Sequence, residues 1–247
     1  MSSAGTSGQG PLLGSDEAHV WTALLSEVSG SLAVFDDLLS ADERATAAHF
    51  LRPDDRCRYI AAHGILRQLL GQYQSMAPAG LVFDKNVFGK PELAPRAAGA
   101  SFTFNLAHSD DVIACVVALG RQVGVDVEAI RADLDVMELA ESQFSPEETA
   151  ALRSISPSER IDAFFRCWTR KEAFVKARGE GLGFPLSNFS VSFGATEPPG
   201  LQWVIDDPSA PARWSVFDFT PTPGYAGAVV IEGRAVRPIY RRFRFSG

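Results

Sequence analysis

Long apolar runs are missing from this chain. The longest, such as Val112 to Leu119 and Ala226 to Ile231, fall far short of the roughly 18 residues that a bilayer-spanning helix needs, so no membrane span or membrane partner is expected. Cysteine is scarce. Cys57, Cys115 and Cys167 are odd in number, far apart and without CxxC spacing, which excludes a disulfide framework and fits buried thiols in a reduced, cytoplasmic protein. A positive balance is also missing. The formal charge is −7, whereas a general nucleic-acid binder needs a basic footprint to meet phosphates. His19, His49 and His63 have no metal-ligand spacing to one another and read as packing or surface residues. No Walker-type GxxxxGK[ST] occurs, so phosphate binding would have to rest on side chains. The opening "MSSAGTSGQGPLLGSDEA" has neither a basic n-region nor an apolar h-region, and residues 1–17 read as a disordered tail.

What remains is a chain of 247 residues, 46% hydrophobic and 21% charged, with enough apolar material for a sizeable core. Its basic residues are clustered in "RPDDRCR", "WTRKEAFVKAR" and "RPIYRRFRF", and local positive pockets on an acidic body suit a small polyanion. "SADE" at Ser40, "SPEE" at Ser145 and "SPSE" at Ser156 each fit a capping box, the last two with proline at the first helical position. The apolar spacing of Tyr59, Ile60, Ile65, Leu66, Leu69 and Leu70 predicts a helix over 54–73, ending near Gly71. A second long helix is predicted over 157–178, closed by Gly179. Between them "FTFNLAHS", "VIACVVAL" and "VGVDVEAI" alternate as strands do, and the short "GRQ" predicts a hairpin between the last two. "FSVSF", "LQWVI", "RWSVFDF" and "GYAGAVVI" suggest a further meander, and "RRFRF" a strand edge guarded by charge. The fold class is therefore α+β. Two similar halves, 18–118 and 119–247, are expected, each a long helix on a small antiparallel sheet.

In "VGVDVEAI" the alternation puts Val123, Val125 and Val127 on one face and Gly124, Asp126 and Glu128 on the other. The two carboxylates are then about 6.6 Å apart along the strand. By itself such a pair fits a solvated outer face. The second long helix adds to it, because Ile161, Phe165, Trp168, Glu172 and Lys176 follow at steps of four or three and so share one stripe. An ordinary surface Glu–Lys pair would contribute about 0.3–0.5 kcal/mol. Here, however, the aromatic half of the stripe must point inward, which leaves Glu172 and Lys176 at the rim of something packed. Three carboxylates with a lysine beside them describe a site for a hard divalent cation with a phosphate neighbour.

"VGVDVE" followed after about 40 residues by "FFRCWTRKEAFVKARGEGL" resembles the paired signature of the 4′-phosphopantetheinyl transferases, in their long, single-chain, surfactin-type branch. The likeness extends through "GKPEL", "FNLAHS" and "GLGFPLSNFSV" and covers roughly residues 40–192. It implies a pseudo-twofold monomer that binds coenzyme A between its halves, with the metal site and signature helix in the second. A holo-[acyl-carrier-protein] synthase activity would move the phosphopantetheine arm to a serine of an apo acyl or peptidyl carrier protein, releasing 3′,5′-ADP. Fatty acid, polyketide or nonribosomal peptide synthesis would be served. Position by position, Asp126, Glu128 and Glu172 resemble the Mg²⁺ ligands, with Mn²⁺ as an alternative. Lys176 resembles the lysine at the phosphates and leaving group, and Glu172, or a water on the metal, is the candidate base. Lys90 and His108, with Ser109 beside it, match positions at the nucleotide end of coenzyme A. Arg58 falls where the family has a basic residue near the 3′-phosphate, and Arg44 and Arg52 stand in for lysines of other branches. The chain departs from the family at Ala107, where a serine often precedes the histidine. The alternative is a non-catalytic carrier-protein or coenzyme A binding module on the same fold.

Overall fold

The computed structural model describes residues 11–94 and 101–245. The chain opens with β1 (Glu17–Leu24), short helices α1 (Leu25–Val28), α2 (Leu32–Leu38) and α3 (Ala41–Ala48), and the long α4 (Pro53–Gln74). A small hairpin of β2 (Phe83–Lys85) and β3 (Pro91–Leu93) precedes β4 (Phe102–Ser109), β5 (Val112–Leu119) and β6 (Val123–Ala129). Then come α5 (Val136–Gln143), α6 (Pro146–Ser154) and the long α7 (Pro157–Arg178). The remainder is β7 (Phe189–Val191), β8 (Leu201–Val204), α8 (Ala210–Arg213), β9 (Trp214–Phe219), β10 (Tyr225–Glu232) and β11 (Arg237–Arg242). Residues 1–10 of the expected tail lie outside the described residues. Its far end is ordered: Leu13 packs on the core and Glu17 opens β1.

The local signals fix most helix starts. Ser40 with Glu43 and Ser145 with Glu148 form reciprocal capping boxes, each satisfying two backbone donors that the helix cannot. The third expected box is not formed, because the Ser156 hydroxyl turns to the Glu159 carboxylate and no side chain caps the backbone there. α4 continues past Gly71 to Gln74 and stops where Ser75 takes a left-handed backbone, φ 51°. α7 ends at Gly179, φ 73°, a conformation glycine adopts without a Cβ penalty.

Sheet membership departs from the expected order. "GRQ" is not a hairpin turn: β5 is paired on both sides, in the order β11-β1-β5-β4, while β6 belongs to a second sheet, β6-β10-β9. With no free edge on β5, the chain after Gly120 has to leave its sheet and begin another. The first sheet is also mixed, not purely antiparallel, since the charged last strand β11 returns from the end of the chain to pair parallel with β1. The expected second meander splits as well, with β7 and β8 forming a two-stranded piece of their own.

Alternation along the strands then builds the layers. Ile113, Cys115 and Val117 of β5 join α4 residues Ile65, Leu66 and Leu69 in one core. Val112, Ala114 and Val116 face the other way and meet Val123, Val125 and Val127 of β6 and Val229 and Ile231 of β10. Ala228 and Val230 pack beneath α7 with Phe174 and Ala177. The two sheets therefore lie face to face, with a long helix on each outer side. Burial of these apolar faces, at about 25 cal/mol per Å², is the main stabilising term. All three cysteines are free thiols, Cys115 and Cys167 buried and Cys57 half-buried. Among the described residues no helix is long and apolar enough to cross a membrane.

Candidate active site

The expected division of β6 holds. Its valines fill the seam between the sheets, and its other face is turned to α7. Gly124 makes the close approach, since a Cβ there would stand 2.1 Å from the Ala173 carbonyl oxygen and 2.4 Å from the Ala177 nitrogen. With nothing larger than hydrogen between them, the next residues along both elements meet. Lys176 Nζ donates to Asp126 Oδ1 at 2.6 Å. Asp126 is buried, its side chain 4% exposed, while the Lys176 side chain keeps 30% of its surface at the rim. Glu172, one turn back, is half-buried. Glu128, two residues along β6, accepts from the Ser109 hydroxyl at 2.8 Å.

The electrostatics are those of crowded carboxylates around one cation. Burial raises Asp126 to about 6 even though Lys176 pulls it down, and the Glu172 charge adds to the rise. Burial raises Glu128 too, with the Asp126 charge, and raises Glu172, with the Glu128 charge. Burial opposes the charge on Lys176, but the Asp126 bond and the charges of Asp126, Glu172 and Glu128 outweigh it and hold its pKa above the usual lysine value. Asp126 Oδ2 is buried with no hydrogen-bond partner, a costly state for an ionised oxygen.

That orphaned oxygen, among hard oxygen donors short of positive charge, fits a divalent cation in kind. The three-carboxylate chelate expected from the sequence is nevertheless not assembled: among the described residues, no three His, Cys, Asp or Glu side chains converge as a metal site. Lys176 already neutralises Asp126, and Ser109 holds Glu128 to one side. Mg²⁺ typically takes only one or two carboxylates and completes its shell with water and substrate phosphate, and the residues present suit that pattern.

Lys176 and His108 also line a cavity of about 810 Å³ bounded by α3, α4, the β2–β3 hairpin and β4. His108 is exposed on the cavity side, and desolvation by the surrounding wall, together with the Arg58 and Lys176 charges, pushes it down to about 4, so it is neutral at pH 7. Ala107 lies in the wall, where a serine would add a hydroxyl.

The other residues expected at the nucleotide end have protein partners or lie at the surface. Lys90 turns its ammonium to the Val123 carbonyl at 3.2 Å and to the Gln122 side chain and Ala177 carbonyl at 3.5 Å, and burial lowers it to about 8. Only its neighbours Gly89 and Pro91 line the cavity. Ser109 is engaged by Glu128 and by the Ala129 N–H. The guanidinium of Arg58 is held by Asp55 at 2.8 Å and by the Asp110 carbonyl at 2.8 Å, beside the cavity. Arg52 is largely exposed near Asp55, and Arg44 binds carbonyls at the end of α2.

Sequence reasoning missed several wall residues. Buried Arg67 donates to Glu43 at 2.7 Å and to the Pro78 and Leu81 carbonyls, above the Phe83 ring. Tyr59 and His63 stack at 4.0 Å and face the same cavity. Helical spacing could have placed His63 and Arg67, four apart, on one face of α4. On α7, Lys171 is fully buried on Glu148, which also accepts from the Val191 and Ser145 N–H groups, and Arg170 is buried against Asp218. Those two charges are structural, and Phe164 is core.

A model of the 4′-phosphopantetheinyl transferase superfamily matches residues 122–230, which span β6 through most of β10. The chain is 38% identical over 224 residues to the 4′-phosphopantetheinyl transferase HetI of Nostoc sp. (strain PCC 7120), covering 91% of each. It is 26% identical over 195 residues to the 4′-phosphopantetheinyl transferase Sfp of Bacillus subtilis (strain 168), covering 79% of this chain and 83% of that one. Among solved structures, holo-[acyl-carrier-protein] synthase from Thermotoga maritima aligns at 24% identity over 46% of this chain and 63% of the other, with a TM-score of 0.37. The chain belongs to the 4′-phosphopantetheinyl transferase family, in its surfactin-type branch.

Proposed function

We propose that the chain transfers 4′-phosphopantetheine from coenzyme A to a serine of an acyl or peptidyl carrier protein, with 3′,5′-ADP as the second product. The observation that carries this reading is the double position of Lys176, which lines the large cavity and at the same time bonds Asp126 in the carboxylate cluster. A pyrophosphate reaching from the cavity to that cluster would bring its bridging oxygen beside the ammonium. The serine oxygen attacks the phosphorus that bears the pantetheine arm, and the bond from that phosphorus to the ADP oxygen breaks. Glu172, whose proton affinity is raised by burial, takes the serine proton. Lys176 stabilises the charge that develops on the departing oxygen. Mg²⁺, or Mn²⁺ in its place, held by Asp126 with Glu128 or Glu172, would neutralise the pyrophosphate.

Neutral His108 would donate to the nucleotide end of coenzyme A, with Arg58 supplying positive potential behind it. We read the molecule as a monomer with a pseudo-twofold relation between halves 18–118 and 119–247. In support, α4 and α7 are each 22 residues long, start on proline and end on a left-handed residue; β11 crosses that division to join the first sheet. The test is incubation with coenzyme A, Mg²⁺ and an apo carrier protein, followed by intact mass. A gain of one phosphopantetheine on the carrier is expected. An unchanged mass with every apo acyl and peptidyl carrier tried, with Mg²⁺ or Mn²⁺, would overturn the assignment.

A further inference from the structure

β6 is an edge strand. It pairs with β10 on one side and, among the described residues, with no strand on the other, although it carries Asp126 and Glu128 and is among the most buried segments described. Buried backbone groups must find partners, and three of those on the free side of β6 find side chains. Lys90 Nζ donates to the Val123 carbonyl at 3.2 Å, Asn105 Oδ1 accepts from the Val125 N–H at 2.9 Å, and Ser109 Oγ accepts from the Ala129 N–H at 3.1 Å. The three partners meet Val123, Val125 and Ala129, positions an even number of residues apart, which is where a neighbouring strand would bond that edge, with Val127 between them left out of the ladder. Asn105 and Ser109 come from β4, four residues apart and so on one of its faces, and Lys90 comes from the hairpin that walls the cavity.

We infer that Lys90, Asn105 and Ser109 form a side-chain ladder that replaces a missing strand, and that they are positioning residues for the reaction. Two of the rungs also reach a functional element beyond the β6 backbone. Lys90 approaches the Ala177 carbonyl in the last turn of α7, where the helix has carbonyls without intrahelical partners and a cation is favoured. Beside it Asn86 Nδ2 donates to the Gly179 carbonyl at 2.9 Å. The β2–β3 hairpin is thereby fastened to the helix that bears Glu172 and Lys176. The Ser109 hydroxyl donates its own hydrogen bond to Glu128, fixing the direction of that carboxylate. The ladder sets how far Asp126 and Glu128 stand from Glu172 and Lys176. This role rests on the transferase reading for its kinetic consequences, but not for its structural ones.

Two measurements test it. Hydrogen exchange on the wild-type protein without coenzyme A should find the Val125 and Ala129 amides protected as strongly as amides bonded between β6 and β10. Exchange at those positions as fast as in exposed loops would overturn the ladder, whatever the activity proves to be. In steady-state transfer, Lys90→Met, Asn105→Ala and Ser109→Ala should each lower kcat by about tenfold or more, the expected consequence of misplacing reacting groups. KM for coenzyme A should change by less than about threefold for Lys90→Met and Ser109→Ala, whose side chains turn to β6 and do not line the large cavity. Asn105 also borders that cavity, so for Asn105→Ala the fall in kcat is the diagnostic quantity. Lys90→Arg and Ser109→Thr, which keep donor and hydroxyl, should recover most of kcat. A raised KM with kcat intact, or for Lys90→Met a lost preference for coenzyme A over dephospho-coenzyme A, would show direct substrate contact and overturn the positioning role. A wild type that transfers nothing would refute the transferase reading alone, with hydrogen exchange still deciding the ladder.

Discussion

Replacing Gly124 by alanine should separate the two elements on which the site is built. The new Cβ would lie 2.1 Å from the Ala173 oxygen, 2.4 Å from the Ala177 nitrogen and 2.9 Å from its Cα, where real Cβ contacts stay above 3.0 Å. Relief requires β6 and α7 to move apart by about 1 Å, and overpacking of this kind costs roughly 1–3 kcal/mol. For a chain of this size each kcal/mol lowers Tm by about 2–4 °C, so a fall of about 2–12 °C is expected. The catalytic effect should be larger in proportion, since Asp126 lies two residues from the clash and Lys176 one, and a misplacement of about 1 Å can cost on the order of 10²-fold in rate. Thermal denaturation and carrier-protein transfer followed by intact mass measure the two effects. The clash is with backbone atoms, so adding Ala177→Gly should not restore activity. A Gly124→Ala protein with wild-type Tm and kcat would refute the argument that this contact sets the site.

Asp126→Ala should leave the fold intact, with Tm within about 5 °C, because it removes an unpartnered buried oxygen along with the Lys176 pair; transfer should fall by more than about 10²-fold, and turnover retained at saturating Mg²⁺ would remove Asp126 from the site. Glu43 is held at about 2: burial opposes its ionisation, but bonds from His63, the Ser40 N–H and Arg67 outweigh it. Its folded pKa is depressed, so its contribution is present above the unfolded pKa of about 4.3 and is lost as pH falls towards 2. Urea denaturation from pH 6 to pH 2 should show the wild type losing about 3 kcal/mol more than Glu43→Gln, and parallel profiles would contradict this. Lys171→Met strands the buried Glu148 carboxylate and should cost about 3–5 kcal/mol. The double variant with Glu148→Gln should be more stable than the sum of the single losses, and strict additivity in the cycle would show that the pair is not coupled.

The helices were legible because their signals are local. Ser40 with Glu43, Ser145 with Glu148, Pro157 and Gly179 act within one turn of chain, and the stripe from Ile161 to Lys176 needs only the helical period. The two faces of β6 were legible for the same reason. Pairing was not, because alternation in "VIACVVAL" says which residues face inward and nothing about which strand lies alongside. A short connection favours a hairpin only while the first strand has a free edge, and β1 and β4 occupy both edges of β5. The return of β11 to β1 spans nearly the whole chain, and no local pattern carries such a contact. Arg67 was passed over because a buried guanidinium is visible only once Glu43, Pro78 and Leu81 are brought around it.

The residues of "GKPEL" and "FNLAHS" show a different limit. A motif marks residues that have to be near a site, but it does not say whether a side chain meets the substrate or the strand that holds it. His108 faces the cavity while Ser109, next to it on β4, faces the other way onto Glu128, as alternation on a strand demands. Gly89 and Pro91 face the cavity while Lys90, between them, reaches β6 and α7. The same geometry explains the charged end of an otherwise apolar helix. An i, i+4 surface pair would have joined Lys176 to Glu172, yet the short bond of Lys176 runs to Asp126 on β6. That bond is available only because Gly124 brings helix and strand together. The lysine is thus held in place by the carboxylate cluster, and on the proposed reading its charge would need little reorganisation when a phosphate arrives.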